Sequence, residues 1–301
     1  MLSAIWVSGS NRCPVQRKEI FITDVWSYKD KRVVIAGCFS GMGEACAREL
    51  VRLGAEVHGV DIKKSPVDLA TFTQLDLKDT PAIEQAVASI GGAVDAVFNC
   101  AGLPQTFPAT DVVGVNFVGI RYWTEQWIPR MRDGGAIVTV ASNSAMNYQA
   151  RLALLKEFIT IDTPDGAFAW IEDHLEDVGD GYGFSKEALL VWTQMRSVDL
   201  IQRGIRINAT LPSPTATPMM KDFESLTGKR ILDLFALPSG RQSTAEEQAW
   251  PLIFLNSAAA GFISGACLPV DCAFTGGVNT GLIDVGKLVA AARANGDHPP
   301  K

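Results

Sequence analysis

The sequence of 301 residues holds only three histidines and six cysteines, and neither type is spaced for a metal. Cys13, Cys38, Cys46, Cys100, Cys267 and Cys272 form no Cys-x-x-Cys pair and have no histidine at ligand spacing. That argues against structural zinc and against a disulfide framework, and reduced thiols suit a cytoplasmic chain. His58, His174 and His298 are scattered, so each reads as exposed or satisfied within the fold. No metal site is expected. An excess of basic charge is also missing: 27 Lys and Arg against 33 Asp and Glu leave a net charge of -6. Such a chain has no field to attract a phosphate backbone, so no nucleic-acid partner is expected. No apolar run approaches the ~18 residues of a membrane span. The opening "MLSAIWVSGSNRCP" has too short an apolar patch, and no basic stretch before it, for a secretory signal. Repeats and low-complexity runs are lacking as well. The reading is a soluble cytoplasmic protein whose partners are small molecules.

What is present is a core-forming composition, 47% hydrophobic and 20% charged. Residues 1–29 lack sustained periodicity and read as an N-terminal extension. From about residue 30 short apolar strands alternate with helical stretches. The strands are "RVVIAG", "EVHGVD", "FTQLDL", "AVDAVFNCAG", "AIVTVAS", "RINATL" and "CLPVD". Helices are predicted from about Gly43 to Leu53, after Thr80, from Val112 to Met131, from Phe184 to Arg203 and over 244–256. Apolar strands buried on both faces and alternating with helices predict an α/β Rossmann-type doubly wound parallel sheet, one domain over 30–280 with a tail at 281–301. An insertion over 143–181 precedes the Phe184 helix. Its two amphipathic segments, "ARLALLKEFI" and "GAFAWIEDHLEDV", make it a candidate substrate lid or subunit contact.

Three features carry chemistry. "AGCFSGMGEA" places Gly37, Gly41 and Gly43 between a strand and a helix, where glycines let the backbone turn and approach a pyrophosphate at the helix N-terminus. Asp61 ends the second strand, where a carboxylate can accept both ribose hydroxyls of NAD and would repel the 2′-phosphate of NADP. Ser40 stands where a base would hold that phosphate. In "DGYGFSKEALL", Tyr182 and Lys186 lie four apart, so they share one helix face and can act on one molecule.

With the glycine loop, Asp61, "NCAG" at 99–102, "VNFVG" at 115–119, "VAS" at 140–142 and "YGFSK" at 182–186 in this order, the chain resembles the short-chain dehydrogenase/reductase family over residues 31–275. Within it, "KEALLVWTQ", "ARLALLKE" and "NATLPSPTATPMM" look most like bacterial coniferyl-alcohol dehydrogenases and 3α-hydroxysteroid dehydrogenase/carbonyl reductases. The resemblance implies a catalytic set of Asn116, Ser142, Tyr182 and Lys186. It implies cofactor contacts from Gly37, Ser40, Gly41, Met42 and Gly43 in the phosphate turn and from Asp76 and Leu77 at the adenine. Asn99, Ala101 and Gly102 fall in the strand-four motif, and Pro212 with Thr215 or Thr217 in the nicotinamide-side loop; Tyr182 and Lys186 also touch the cofactor. Departures from the family pattern are Ala36, Ala141 and Ser213.

The implied reaction oxidises an alcohol with NAD. Tyrosine's ordinary pKa of about 10 must fall for it to act as base near neutrality, and a fall of about three units corresponds to roughly 4 kcal/mol. Lys186 and the nicotinamide charge would supply it, Ser142 would hold the substrate oxygen, and Asn116 would keep a water that relays the proton. Leu152, Leu155, Phe158 and Trp170, with Met219, Met220 and Phe223, are candidate pocket residues for a hydrophobic, aromatic or allylic alcohol. A homodimer or homotetramer is implied, with helices around 112–131 and 184–203 at the interface. The alternatives are a hydroxysteroid dehydrogenase/carbonyl reductase and an NAD-binding sensor without turnover.

Overall fold

The computed structural model describes residues 24–294. Cys13, His298, most of the 1–29 extension and the end of the 281–301 tail lie outside the described residues. One parallel sheet is built from β1 (Arg32–Ala36), β2 (Glu56–Asp61), β3 (Thr71–Gln74), β4 (Val94–Asn99), β5 (Met131–Val140), β6 (Arg206–Pro212) and β7 (Cys267–Val270). Its order is β3-β2-β1-β4-β5-β6-β7. The order reverses between β1 and β4, which opens a crevice outside the carboxyl ends of these strands.

The helices are α1 (Gly41–Arg52), α2 (Thr80–Ile90), α3 (Ala109–Val113), α4 (Ile120–Trp127), α5 (Leu152–Ile159), α6 (Pro164–Asp173), α7 (Leu175–Val178), α8 (Tyr182–Leu200), α9 (Met220–Thr227), α10 (Lys229–Leu234), α11 (Ala245–Asn256), α12 (Phe274–Asn279) and α13 (Val285–Ala294). Successive side chains on a strand point to opposite faces, so a strand buried on both sides must be apolar throughout. In β1, Val34 and Ala36 join the core under α2, α4 and α8. Val33 and Ile35 join the core under α1 and α11. The doubly wound sheet predicted from the alternation is the observed fold.

Some boundaries differ. The stretch expected as one helix to Met131 is α3, a π-helical turn over Gly114–Gly119, α4 and a 3-10 turn; β5 already starts at Met131. α8 starts at Tyr182 because Gly181, at φ 81°, turns the chain into the helix; a Cβ there would lie 2.7 Å from the Ala109 carbonyl oxygen. At the edge of the expected extension, buried Tyr28 donates to the Ile253 carbonyl at 2.7 Å. The expected tail contains α13, with Ala292 buried.

The insertion is part of the core. Phe158 packs on Phe117, Trp170 and Phe184 with ring centroids 4.8 to 5.3 Å apart. Arg121 of α4 donates to the Ile159 and Ile161 carbonyls at 2.8 and 2.7 Å. Leu155, Phe158 and Trp170 are buried among these groups, and Leu152 packs against them. These four therefore belong to the packing of α5 and α6 on α8 and line neither cavity of the crevice. The insertion also packs on α4 and α8, the helices that the resemblance places at a subunit interface. An aromatic stripe at helical spacing reads the same in a sequence whether it meets a ligand, a partner or its own chain.

Candidate active site

The crevice holds two adjoining cavities. The first, of about 450 Å³, runs from Asp61 and the Asp76–Leu77 segment past Gly37 and Ser40 to Ala101 and Gly102. The second, of about 210 Å³, contains Ser142, Tyr182 and Lys186 and is walled by Pro212, Met219, Met220 and Phe223. Cys100, Ala101, Gly102 and Met219 line both, so they mark the junction.

The glycine loop is dictated by close approach. Gly37 has φ 88°, and a Cβ on it would lie 2.3 Å from the Ala101 nitrogen; one on Gly43 would lie 1.7 Å from the Gly37 carbonyl oxygen. Gly41, at φ 60°, has Thr217 over it, with a Cβ-to-methyl distance of 3.1 Å. Thr217 is thus the threonine that faces the glycine loop. Thr215 lines the substrate-side cavity but spends its hydroxyl on the Ser213 carbonyl and the Ser243 hydroxyl. Ser40 is the extended N-cap of α1 and its side chain caps no backbone N–H. The first turn of α1 therefore keeps donors for an anion. Met42, one residue into that helix, reaches the second cavity.

At the other end, Asp61 is half-buried and each carboxylate oxygen accepts one backbone N–H, from Phe39 at 3.0 Å and from Lys63 at 3.1 Å. A carboxylate has about four acceptor sites, so two remain for a diol. A cavity with a glycine-lined helix N-terminus at its middle and a fixed carboxylate at one end fits a dinucleotide.

Two expected contacts are turned inward. Asn99 is buried between β4, β5 and α4, where its amide donates to the Thr124 and Thr139 hydroxyls at 2.9 and 3.1 Å. It lines neither cavity, because its position at the end of β4 points it into the core. Asn116 sits in the π-helical turn with its side chain bonded to both Leu103 and Ser185. Its Oδ1 accepts from the Leu103 N–H at 2.6 Å, and its Nδ2 donates to the Leu103 carbonyl at 3.0 Å and to the Ser185 hydroxyl at 3.3 Å. The amide ties the segment after β4 to α8, with both Nδ2 protons used and one of the two Oδ1 acceptor sites filled.

The reacting groups lie together. Ser142, at the end of β5, accepts from the Ser144 N–H at 3.1 Å, which leaves its hydroxyl proton to be donated into the cavity. Lys186 is 4% exposed and donates to the Val140 carbonyl at 3.0 Å, with its nitrogen 5.6 Å from the Tyr182 ring centroid. Phe223 stacks edge-on against Tyr182, centroids 5.0 Å apart. A Cβ on Gly102 would sit 3.2 Å from Asn116 Oδ1 and 3.6 Å from Lys186 Nζ, so a methyl here would crowd the Asn116 amide.

Burial pushes the Tyr182 phenol up to about 12; the Ser142 hydroxyl pulls the other way and the Asp180 carboxylate adds to the rise. Burial also brings the Lys186 ammonium down to about 8, against a small upward pull from Cys100. In the chain without NAD, loss of water is thus what sets the phenol above its ordinary value.

Sequence reasoning missed Phe39 and Phe107 on the first cavity and Leu232 and Phe235 on the second. The last two sit in and just after α10, a short helix that carries no motif. Among the described residues no cluster of three His, Cys, Asp or Glu side chains could hold a metal ion, and no helix is long and apolar enough to cross a membrane.

Comparison with known proteins fits this geometry. Residues 31–154 match the family model described as short chain dehydrogenase, and residues 172–275 the one described as enoyl-(acyl carrier protein) reductase. The chain is 32% identical to coniferyl-alcohol dehydrogenase of Pseudomonas sp. (strain HR199 / DSM 7063), over 80% of this chain and 95% of that protein. It is 29% identical to the 3-alpha-hydroxysteroid dehydrogenase/carbonyl reductase of Comamonas testosteroni, over 79% of this chain and 94% of that protein. Among solved structures, the 3-alpha-hydroxysteroid dehydrogenase of Pseudomonas sp. B-0831 complexed with NADH superposes with a TM-score of 0.69 at 28% identity, covering 80% of this chain and 95% of that one. A parallel sheet with its crevice at the strand reversal, a glycine-lined turn and a serine, tyrosine and lysine on one cavity, matched by such relatives over four fifths of its length, make this chain a member of the short-chain dehydrogenase/reductase family of oxidoreductases.

Proposed function

We propose that the protein oxidises a hydrophobic alcohol, aromatic or allylic in type, to its carbonyl with NAD, and that Tyr182 is the base. The observation that carries this reading is the placement of Ser142, Tyr182 and Lys186 on a mainly apolar cavity that joins, through Ala101 and Gly102, a cavity suited to a dinucleotide. Asp61 supports NAD over NADP, since a carboxylate that still has acceptor sites receives two ribose hydroxyls and repels a 2′-phosphate. The NADH in the 3-alpha-hydroxysteroid dehydrogenase complex agrees with that choice.

Each side chain has a distinct task. The Ser142 hydroxyl donates to the substrate oxygen and holds it beside the phenol. Tyr182 takes the hydroxyl proton. Lys186, protonated below about pH 8, places a cation on the phenol's face and favours phenolate. Asn116 keeps the Leu103 segment and α8 in register, so Gly102 stays close to Lys186. NAD, when bound, supplies the hydride acceptor and, in its oxidised form, positive charge that this phenol lacks in the free chain. Met219, Met220 and Phe223 form an adaptable apolar wall.

The test is NADH absorbance with NAD and a panel of coniferyl, cinnamyl, terpenoid and 3α-hydroxysteroid alcohols, using wild type and Tyr182→Phe. Turnover by the wild type, with a loss of at least a thousandfold in the variant and NAD affinity within about threefold, is expected. Retained activity in Tyr182→Phe overturns the mechanism. NAD binding without turnover of any alcohol moves the protein to the sensor reading. A homodimer or homotetramer belongs to the same proposal; light scattering tests it.

A further inference from the structure

Tyr182 opens α8 in the stretch "GDGYGF", with Gly181 before it and Gly183 after it. A helical side chain leans back over the turn that precedes it, so a residue at the start of a helix projects past the end and rests on no turn of its own helix. Neither glycine has a side chain to brace the ring. Beyond its chain neighbours and the helix backbone, nothing lies within 4 Å of where a Gly183 Cβ would be. Tyr182 also keeps part of its surface open to the cavity, so its ring is not locked by complete burial. Two side chains meet it. Lys186, one turn on, has Nζ 5.6 Å from the ring centroid, but this is the tip of a four-carbon stem bonded to the Val140 carbonyl. Phe223 of α9 comes from a distant segment and lies edge-on, with centroids 5.0 Å apart and planes at 73°. It is half-buried, and its N–H reaches the Met219 carbonyl at 3.4 Å within the start of α9.

We propose that Phe223 is a positioning residue for the base: beyond standing on the cavity wall, its ring braces the Tyr182 ring from outside α8 and holds the phenol where the substrate hydroxyl must arrive. This deepens the alcohol-oxidising reading of the same cavity and rests on it. In the free chain the phenol also bonds to the Ser142 hydroxyl. Once the substrate oxygen takes the Ser142 proton, that bond no longer holds the phenol, and the ring contact remains. An edge-on aromatic contact favours one arrangement by roughly two- to tenfold, and proton transfer needs the base within about 3 Å of the oxygen it serves. A phenol free to swing away therefore slows the chemical step without weakening the binding of the alcohol. A residue that only lines the wall acts the other way, on binding and so on KM.

The experiment has two arms. In the first, steady-state rates at saturating NAD are measured for wild type, Phe223→Ala and Phe223→Leu, with an alcohol that wild type turns over, plain and deuterated at the carbinol carbon. Phe223→Ala is expected to lower kcat about tenfold, with KM for the alcohol within about threefold and an isotope effect on kcat no smaller than that of wild type. Phe223→Leu keeps apolar bulk beside the phenol and is expected to recover kcat to within about threefold of wild type. A raised KM at unchanged kcat makes Phe223 a wall alone and overturns the proposal, as does a fall in kcat whose isotope effect vanishes. The second arm needs no turnover: ring-carbon NMR relaxation of Tyr182 in the NADH-saturated full chain with labelled tyrosine, the resonance being assigned by its absence in Tyr182→Phe. An order parameter near about 0.85 in wild type and below about 0.6 in Phe223→Ala is expected. Equal order in both, or a loosened ring with kcat unchanged, overturns the proposal. A ring that loosens in the variant when wild type turns over no alcohol upholds the positioning and sinks the catalytic reading, so the two fail separately.

Discussion

Replacing Lys186 with methionine should stabilise the free protein near neutral pH while ending its activity. Lys186 is buried, and its pKa drops from an ordinary 10.5 to about 8 because burial disfavours the ammonium. At about 1.4 kcal/mol per pH unit this amounts to a cost of about 3 kcal/mol for carrying the charge in the folded state. The sign follows from which state gives up the proton first. Below about pH 8 folded and unfolded chains both hold it, and the whole cost is present. Between about 8 and 10.5 only the folded chain releases it, so stability climbs with pH; by pH 10 the remaining cost is under about 1 kcal/mol. Methionine has no such proton, but it surrenders the hydrogen bond to the Val140 carbonyl, a loss of about 1 kcal/mol. The variant should therefore exceed wild type by about 2 kcal/mol at pH 7 and match it at pH 10. Urea denaturation of nucleotide-free protein at both values, followed by tryptophan fluorescence, measures this. Burial raises the Cys38 and Cys46 thiols, which makes stability fall at alkaline pH. Both proteins share that slope, so it cancels in the difference. A variant less stable than wild type at pH 7, or a gap of the same size at both values, would refute the assignment of a costly buried cation.

Asp61→Ala is expected to lower the ratio of NAD to NADP in kcat/KM by at least about tenfold, read from steady-state rates with each cofactor; an unchanged ratio removes the carboxylate from the specificity argument. Gly43→Ala puts a methyl 1.7 Å from the Gly37 carbonyl oxygen, so a loss of about 2 kcal/mol or more is expected in urea denaturation, together with weaker NAD binding. Phe158→Ala should cost about 3–5 kcal/mol, since the ring is fully buried against Phe117, Trp170 and Phe184, and should change KM for the alcohol by less than about twofold. A large rise in KM at native stability would instead return Phe158 to the substrate pocket.

The amino-acid sequence by itself determined the sheet and its two-sided burial. Val33, Val34, Ile35 and Ala36 are apolar without interruption, a pattern that only a strand covered on both faces needs, and helical stretches on either side supply the covers. It also determined the glycine turn, Asp61 at a strand end and the Tyr182 to Lys186 spacing, because each of these is a local property of backbone freedom or helical repeat. Only the tertiary structure decided what faces what. It turned Asn99 into the core, tied the Asn116 amide to Leu103 and Ser185, and put Phe158 and Trp170 against Phe184 while Phe223 went over Tyr182. It also decided the charge states, for the phenol rises and the ammonium falls through burial contributed by residues far apart in the chain. The physical reason is the same in each case: periodicity marks a side chain as apolar or a backbone as helical, but its partner, and the water it loses, are fixed only when distant segments pack around it.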